Sequence, residues 1–477
     1  GKERFLGKGI EPAMDGPDMP SLLETVKKKE DMMLSGEEPE FLFVDSLKDE
    51  LLSFKKVNSG NTRLFFCAPS DLLVLWKKYF GEFFCKFKES RIQAEHTVGI
   101  NPYSSEWDML VKELSVHGLG RMIAGDFKGF DSKQMAGVLR FIGESVIAAH
   151  GDRVFDGLRR ILWKTVFLSK HVVGSDILQW FQAMCSGHPG TTEINSLYVP
   201  TIMRMVWVVI HGGNILSLPA FKQNIVCKAN GDDHMMSVAE AAEDIFNHQI
   251  VAHVLGTKWN QEYTGEMKDV EPPPHRHITE CEFLKRSFCF DNDEGRWIAP
   301  LRMENILQMP YWTKKSDYEG VWRTKLDLAL TELSLHKKDV FEHWSSIMLR
   351  ASLEIAHHVP SVVSYKALRQ KCLSMDIPYR TQGGERDPPL APLELALNRQ
   401  ISEVNKVSDT ALELKPCENY SARMGCVKQY PSDPRSGTEG TVALVPQLRP
   451  NNNSTMATGT VAETNVPTAV STNQMEA

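Results

Sequence analysis

Asn230-Gly231-Asp232-Asp233 lies between two short, mostly apolar runs, Ile225 to Ala229 and His234 to Val238. Two strand-length runs joined through glycine read as a β-hairpin, and adjacent carboxylates at its tip suit a divalent cation. An ordinary solvated turn can carry the same tripeptide, so the stretch gains meaning from what surrounds it. Upstream, Asp126-Phe-Lys-Gly-Phe-Asp131 follows the apolar-rich stretch Leu119 to Ala124 and sets a second acidic pair after a second strand-like run. Between the two lies Ser186-Gly-His-Pro-Gly-Thr-Thr-Glu-Ile-Asn195, a hydroxyl-rich loop leading into a helix, with Asn195 about one turn inside it. Taken alone, that loop is a helix start capped by Thr191 or Thr192.

Joining nucleotides requires in-line attack by a hydroxyl on an α-phosphorus, with negative charge on both the entering and the leaving oxygen. Two divalent ions about 4 Å apart stabilise both. Magnesium takes oxygen ligands, and carboxylates from two different strands can bracket such a pair. Asp126, ending one apolar run, and Asp232, in the hairpin turn, fit that role, with Asp233 as an auxiliary ligand. The loop from Ser186 to Asn195 is suited to hydrogen-bond a sugar and a template backbone.

The chain has 477 residues, 42% hydrophobic and 24% charged, which is long enough for more than one domain and ordinary for a globular protein. Nine cysteines form no CxxC and no regular framework, as suits reduced thiols in a cytosolic compartment. Gly1-Lys-Glu-Arg has no apolar stretch behind its charges, so no signal peptide is expected, and the missing initiator methionine suggests a fragment or processed product. The most apolar stretch, Leu197 to His211, is broken by Pro200 and Arg204, and no transmembrane segment is expected. A net charge of −7 does not exclude a nucleic-acid partner, because phosphate affinity follows local clusters. Two such clusters occur, Lys48, Lys55, Lys56 and Arg63, then Lys77, Lys78, Lys86, Lys88 and Arg91; each also reads as a solvated helix face.

Apolar periodicity predicts helices over about Leu22 to Leu34, Gln134 to Ala149, Thr191 to His211 and Ala239 to Leu255, and a short strand over Glu282 to Phe288. From Lys48 to about Phe290 the body mixes helix and strand, and residues 300 to 380 read as a helical subdomain. Beyond Tyr430 there is no aromatic residue, and the polar tail cannot bury enough surface to fold alone. His275, His277, Cys281 and Cys289 are spaced too loosely for structural zinc and read as a solvated loop with two buried thiols.

These segments, in this order, resemble the RNA-dependent RNA polymerases of picornavirus-like positive-strand RNA viruses, nearest the insect and algal picorna-like groups. Lys48-Asp-Glu-Leu to Lys55-Lys56 with Thr62-Arg63-Leu64 resembles motif F, Asp126 to Asp131 motif A, Ser186 to Asn195 motif B, Gly231-Asp232-Asp233 motif C, and Phe283-Leu284-Lys285-Arg286 motif E. Leu330 to Trp344 is a looser match to the thumb. The resemblance implies an α+β, right-handed polymerase fold with fingers, a palm of antiparallel sheet and helices, and a helical thumb. It sets partial fingers with a palm insertion at 1–118, palm with part of the fingers at 119–290, thumb at 291–385, a linker at 386–430, and a disordered tail at 431–477 that is either polymerase or the start of the next polyprotein product.

The resemblance also implies roles. Asp126, Asp232 and Asp233 would hold the metal, magnesium with manganese as a substitute. Asp131, Ser186, Thr191 and Asn195 would recognise the ribose, and Lys48, Lys56 and Arg63 the triphosphate. Gly187 would lie along the RNA, and Lys285 and Arg286 near the primer or nascent strand. Lys268, from the family's Thr-x-x-x-Lys spacing in Thr264-Gly-Glu-Met-Lys268, would deliver a proton to the pyrophosphate. The implied partners are an RNA template and primer, ribonucleoside triphosphates, and the small protein primer such viruses often use, at replication complexes in the host cytoplasm.

Asn230 stands where the family usually has Tyr, a change that bears on hairpin packing or primer contact. The chain starts just after the family's motif G, so the resemblance implies that part of the fingers is missing, with lower stability or activity than a full-length polymerase. Two other readings remain at this point, a reverse transcriptase and a catalytically silent polyprotein fragment that binds RNA. An Asp at 131 can accept from a 2′-hydroxyl where a reverse transcriptase usually places a bulky aromatic, which favours ribonucleotides.

Overall fold

A computed structural model describes residues 16–48, 54–60, 62–267, 271–311, 318–356, 360 and 364–374. All of them fall in the first of the two units into which the chain divides, Gly1–Thr410. Lys268, the side chain of Lys55, part of the motif F stretch (49–53), and the expected linker and tail lie outside the described residues.

Two four-stranded sheets organise the described chain. One joins β1 (Leu42–Leu47), β2 (Leu64–Cys67), β4 (Lys170–Val173) and β5 (Asp176–Gln179) in the order β2-β1-β4-β5. The other joins β3 (Met122–Phe127), β6 (Ile225–Asn230), β7 (Asp233–Val238) and β8 (Tyr263–Gly265) in the order β6-β7-β3-β8, and every pair in it is antiparallel. The helices that matter for the site are α1 (Met19–Leu34), α2 (Ser70–Glu89), α3 (Glu106–Leu114), α4 (Ala136–Ala149), α5 (Asp156–Lys164), α6 (Thr191–Ile210) and α7 (His248–Trp259). Helices also follow Leu301: α8 (Tyr318–Leu333), α9 (Lys338–Ala356) and α10 (Tyr365–Leu373).

The second sheet is apolar on both faces because it is covered on both. Side chains alternate along a strand. Ile123 and Phe127 of β3 and Met236 and Val238 of β7 join the main core with residues of α4, α6 and α7. Met122 and Ala124 of β3 and Met235 of β7 face a second core built from Trp107, Leu110 and Leu114 of α3 with Phe283 and Phe288. By the same alternation Asp126 and Asp233 fall on the face of Ala124 and Met235, at the end where the second core stops.

The predicted elements appear with one helix and one strand adjusted. The helix expected from Ala239 starts at His248 instead. Glu240–Ala242 forms a 3-10 turn, and Asn247 caps α7 by accepting from Ile250 N at 3.1 Å. The strand expected over Glu282 to Phe288 is a small hairpin, β9 (Glu282–Phe283) and β10 (Arg286–Ser287). It turns at Leu284 and Lys285, both in the left-handed region (φ +55° and +61°), so two residues break what the alternation reads as one strand. Of the two cysteines expected to be buried near it, Cys281 is buried and Cys289 is only partly so.

The cationic run from Lys77 to Arg91 lies mostly on α2 and is largely spent on neighbours. Lys78 pairs with Glu30 of α1 at 2.6 Å, Lys86 with Glu82 at 2.7 Å, Lys88 with Glu193 of α6 at 2.7 Å, and Arg91 with Glu106 of α3. This run ties helices together and leaves few charges for phosphate. No single helix among the described residues is long and apolar enough to cross a membrane.

Candidate active site

The tip of the hairpin is built by register. The last β6–β7 pair is Asn230 with Asp233, which leaves Gly231 and Asp232 as a two-residue turn. Gly231 has φ +68°, and the turn class with a left-handed first position takes glycine there. β7 pairs with β3 up to Gly125 opposite His234, so one step further along the ladder sets Asp126 beside Asp233. On the other flank of β3, Asp126 is registered with Thr264 of β8.

Three contacts fix the turn. Gly231 N donates to Ser196 Oγ on α6 at 2.7 Å. Asn230 Nδ2 donates to Thr97 O at 3.0 Å, and the chain around Thr97 adds main-chain bonds to β6, from Thr97 N to Ala229 O (2.8 Å) and from Ala229 N to Glu95 O (3.1 Å). The change at Asn230 therefore serves packing. Beneath the turn, buried His234 bonds Asp232 O through Nδ1 at 2.9 Å and Tyr263 OH through Nε2 at 2.7 Å. Burial lowers the His234 pKa to about 4, so the ring is neutral near pH 7. A carbonyl only accepts, which makes Nδ1 the donor and leaves Nε2 to accept from the tyrosine hydroxyl. Tyr263 reaches this position because residue 125 is glycine: a Cβ there would lie 2.0 Å from the tyrosine ring.

The carboxylates at the tip repel one another. Asp233 still meets solvent, yet its pKa is pushed up to about 6, first by desolvation and then by the negative charges of Asp232 and Asp126, against a lowering by Lys285. That coupling puts the three acids and Lys285 in one electrostatic field. Among the described residues no group of three His, Cys, Asp or Glu side chains could hold a metal ion as it stands. The three acids thus share a field rather than a coordination sphere. Their donor set is all oxygen and their mutual repulsion is what a hard cation relieves, so the residues fit magnesium.

Asp131 sits one short loop beyond β3. Ser186 Oγ donates to its Oδ2, and Asn195 Nδ2 donates to its Oδ1 at 2.8 Å. Its pKa is raised, by burial above all; Ser186 and Asn195 pull it down, Asp232 pushes it up and Arg63 lowers it. Arg63 is exposed at the start of β2, its carbonyl accepting from Lys48 N at 2.8 Å, so the chain around both cations is anchored at the edge of the first sheet. Lys56 is exposed on the short helix Phe54–Asn58.

The loop before α6 is pinned from below. Thr191 Oγ1 donates to Cys185 O at 3.0 Å and His188 O at 2.8 Å, which commits that hydroxyl's proton to the loop. Buried His188 packs edge-on to Trp76, with ring centroids 4.4 Å apart; its Nδ1 accepts from Gly190 N at 3.2 Å and its Nε2 meets Thr165 Oγ1 at 3.0 Å. Gly187 presses against β2, where a Cβ would stand 1.3 Å from Phe66 O.

The structure thus brings Asp126, Asp131, Ser186, Asn195, Asp232, Asp233 and Lys285 to one end of the sheet, with Arg63 in electrostatic reach. Arg286 does not join them, contrary to the expectation that it lines the RNA. The residue is 8% exposed and its guanidinium donates to both Glu332 oxygens (2.7 and 3.0 Å) and to Ala299 O (2.8 Å). Lys285 is exposed in the turn of the small hairpin, and Arg286, the first residue of β10, is buried against Glu332. Sequence reading missed Ser196, Tyr263 and His234; the one available signal was the polar pair Asn195-Ser196 inside an otherwise apolar helix.

A model of the viral RNA-dependent RNA polymerase family matches residues 6–352. The replicase polyprotein of Cricket paralysis virus is 29% identical over 385 residues, covering 77% of this chain and 22% of its own length. That of Drosophila C virus is 29% identical over 374 residues, covering 76% and 21%. The genome polyprotein of Rice tungro spherical virus is 29% identical over 357 residues, covering 71% and 10%. This chain therefore spans about a fifth or less of these curated relatives. The solved Sicinivirus 3Dpol RNA dependent RNA polymerase superposes with a TM-score of 0.61 at 20% identity, covering 75% of this chain and 71% of that one, and so shares its fold.

Proposed function

The chain belongs to the viral RNA-dependent RNA polymerase family, and we propose that it extends an RNA primer on an RNA template from ribonucleoside triphosphates, replicating the genome of a positive-strand virus at cytoplasmic replication complexes. The observation that carries this reading is the placement of Asp126 and Asp233 side by side on one sheet face, Asp232 at the adjoining turn, and Asp131 held by Ser186 and Asn195 next to them. Divalent ions at Asp126 and Asp232, magnesium by preference, supply charge stabilisation on the entering and leaving oxygens when bound.

The chain's own residues do the rest. Asp131 accepts from the ribose 2′-hydroxyl, with Ser186 and Asn195 holding its carboxylate in place. Arg63, with Lys48 and Lys56, draws the triphosphate in and offsets charge on the departing pyrophosphate. Lys285, exposed at a hairpin tip and within reach of Asp233, lies along the growing strand. Lys268 gives the pyrophosphate its proton, and Lys268→Met slows chemistry about 10²- to 10⁴-fold while sparing RNA binding. A small protein primer is an option that primer-free assays would reveal.

The test is primer extension on a homopolymer template with magnesium, comparing wild type with Asp232→Asn. The variant's rate should fall about a thousandfold or more. Equal rates would end the metal assignment. A wild-type chain that binds the primed template and extends nothing is the silent-fragment reading, and one that prefers deoxyribonucleotides is the reverse transcriptase.

A further inference from the structure

Gln134 links the turn after Asp131 to α4, and its side chain is wholly buried (0% exposed). Nothing in its sequence setting singles it out. Its Nε2 donates to Asn195 Oδ1 at 2.8 Å, and Asn195 Nδ2 donates in turn to Asp131 Oδ1 at 2.8 Å. The main chain on either side is held independently. Gln134 O accepts from Ala183 N at 3.1 Å, and Gln261 Nε2 donates to Lys133 O at 3.3 Å.

A primary amide is nearly symmetric in shape and opposite in polarity at its two ends. Asn195 can therefore turn either its oxygen or its nitrogen toward a neighbour, and which it turns decides whether it attracts or repels a carboxylate. An ionised Asp131 only accepts, so the nitrogen must face it. The carboxylate sets the orientation, and Gln134 completes it by offering a donor to the amide oxygen that then faces away. The arrangement has a cost, since Gln134 Oε1 is buried with no partner among the described residues. An apolar side chain of the same length would avoid that cost but would leave the buried Asn195 amide oxygen without its donor.

We propose that Gln134 is a positioning residue for sugar discrimination: its buried amide satisfies and steadies Asn195, which holds the Asp131 carboxylate in the pose that accepts a ribose 2′-hydroxyl. The inference rests on the assignment of Asp131 to the ribose. It adds a residue that touches no substrate and acts through two others.

The test reads binding without chemistry. Affinities of a matched ribonucleoside triphosphate and its 2′-deoxy analogue are measured with magnesium on a primed template whose primer ends in a 3′-deoxy residue, for wild type, Gln134→Met, Gln134→Glu, Asn195→Ala and Asp131→Asn. Gln134→Met keeps length and removes the donor, and should lower the ribose-over-deoxyribose affinity ratio about tenfold; the melting temperature should change little, because the unmatched Gln134 oxygen it removes offsets the Asn195 oxygen it leaves without a donor. Gln134→Glu sets an acceptor against the Asn195 oxygen and should lower the ratio at least as far. It carries the test if the methionine variant does not fold. Ratios within about twofold of wild type in the glutamine variants, with Asn195→Ala lowering it, overturn the role of Gln134. If Asn195→Ala and Asp131→Asn also leave the ratio unchanged, the sugar assignment itself is what fails.

Discussion

Asp233 shows how a single residue reports on a site. Its pKa, raised to about 6 from an ordinary 3.8, means that the folded chain holds that proton more tightly than the unfolded one between those values. Stability from this group is therefore greatest below the unfolded value and falls as pH rises through the folded one. Asp232→Asn removes one of the like charges, so the fall in melting temperature between about pH 4 and pH 7 should become shallower than in wild type. Magnesium should raise the wild-type melting temperature more at about pH 7.5 than at about pH 5, where the proton already neutralises the carboxyl. Superimposable melting curves for the two proteins across that range would remove the coupling. Arg286 teaches the converse, because a cation one residue beyond Lys285 is committed to Glu332 instead of the site.

At the scale of elements, two glycines show what holds the site together. Gly125 lets Tyr263 lie across β3 and reach His234 beneath the Gly231-Asp232 turn, and Gly187 lets the loop before α6 close onto β2. A methyl group at 125 meets a ring already tethered by its hydroxyl, and Gly125→Ala should cost about 1–3 kcal/mol. At 187 the obstacle is the main-chain carbonyl of Phe66, which cannot rotate aside, so Gly187→Ala should cost more than Gly125→Ala. Chemical denaturation of both variants checks the ranking. The reverse order would mean that the loop before α6 adjusts more easily than the sheet. Helix α6 joins the halves of the site, because consecutive Asn195 and Ser196 reach Asp131 and Gly231 respectively.

Across the whole molecule, the helices after Leu301 are tied to the sheet region by buried charge. Glu332 on α8 receives both Arg286 nitrogens and the Tyr103 hydroxyl, and Arg369 on α10 pairs with Asp291. A buried pair adds little net stability over an apolar pair, whereas losing one partner leaves a charge with nothing to offset it. Glu332→Leu should therefore lower stability by about 3–5 kcal/mol, and Arg286→Met combined with Glu332→Leu should recover most of the loss. Thermal melting of the single and double variants tests this, and a double variant as unstable as the single one would refute it.

Much of the site was legible in the sequence because its chemistry is local. A hairpin needs glycine at its turn, a strand ends in an acid, and a hydroxyl-rich loop starts a helix, so Asp126, Asp131, Ser186, Asn195, Asp232 and Asp233 stand out within short windows. The main helices were legible for the same reason, through the spacing of their apolar residues. The tertiary structure decided what depends on contacts between distant segments. It committed Arg286 to Glu332, spent the α2 cations on helix pairing, split motif E into a hairpin, and placed Gln134 behind Asn195. Each of those outcomes depends on which partner a polar group meets across the fold, and no local window encodes that choice.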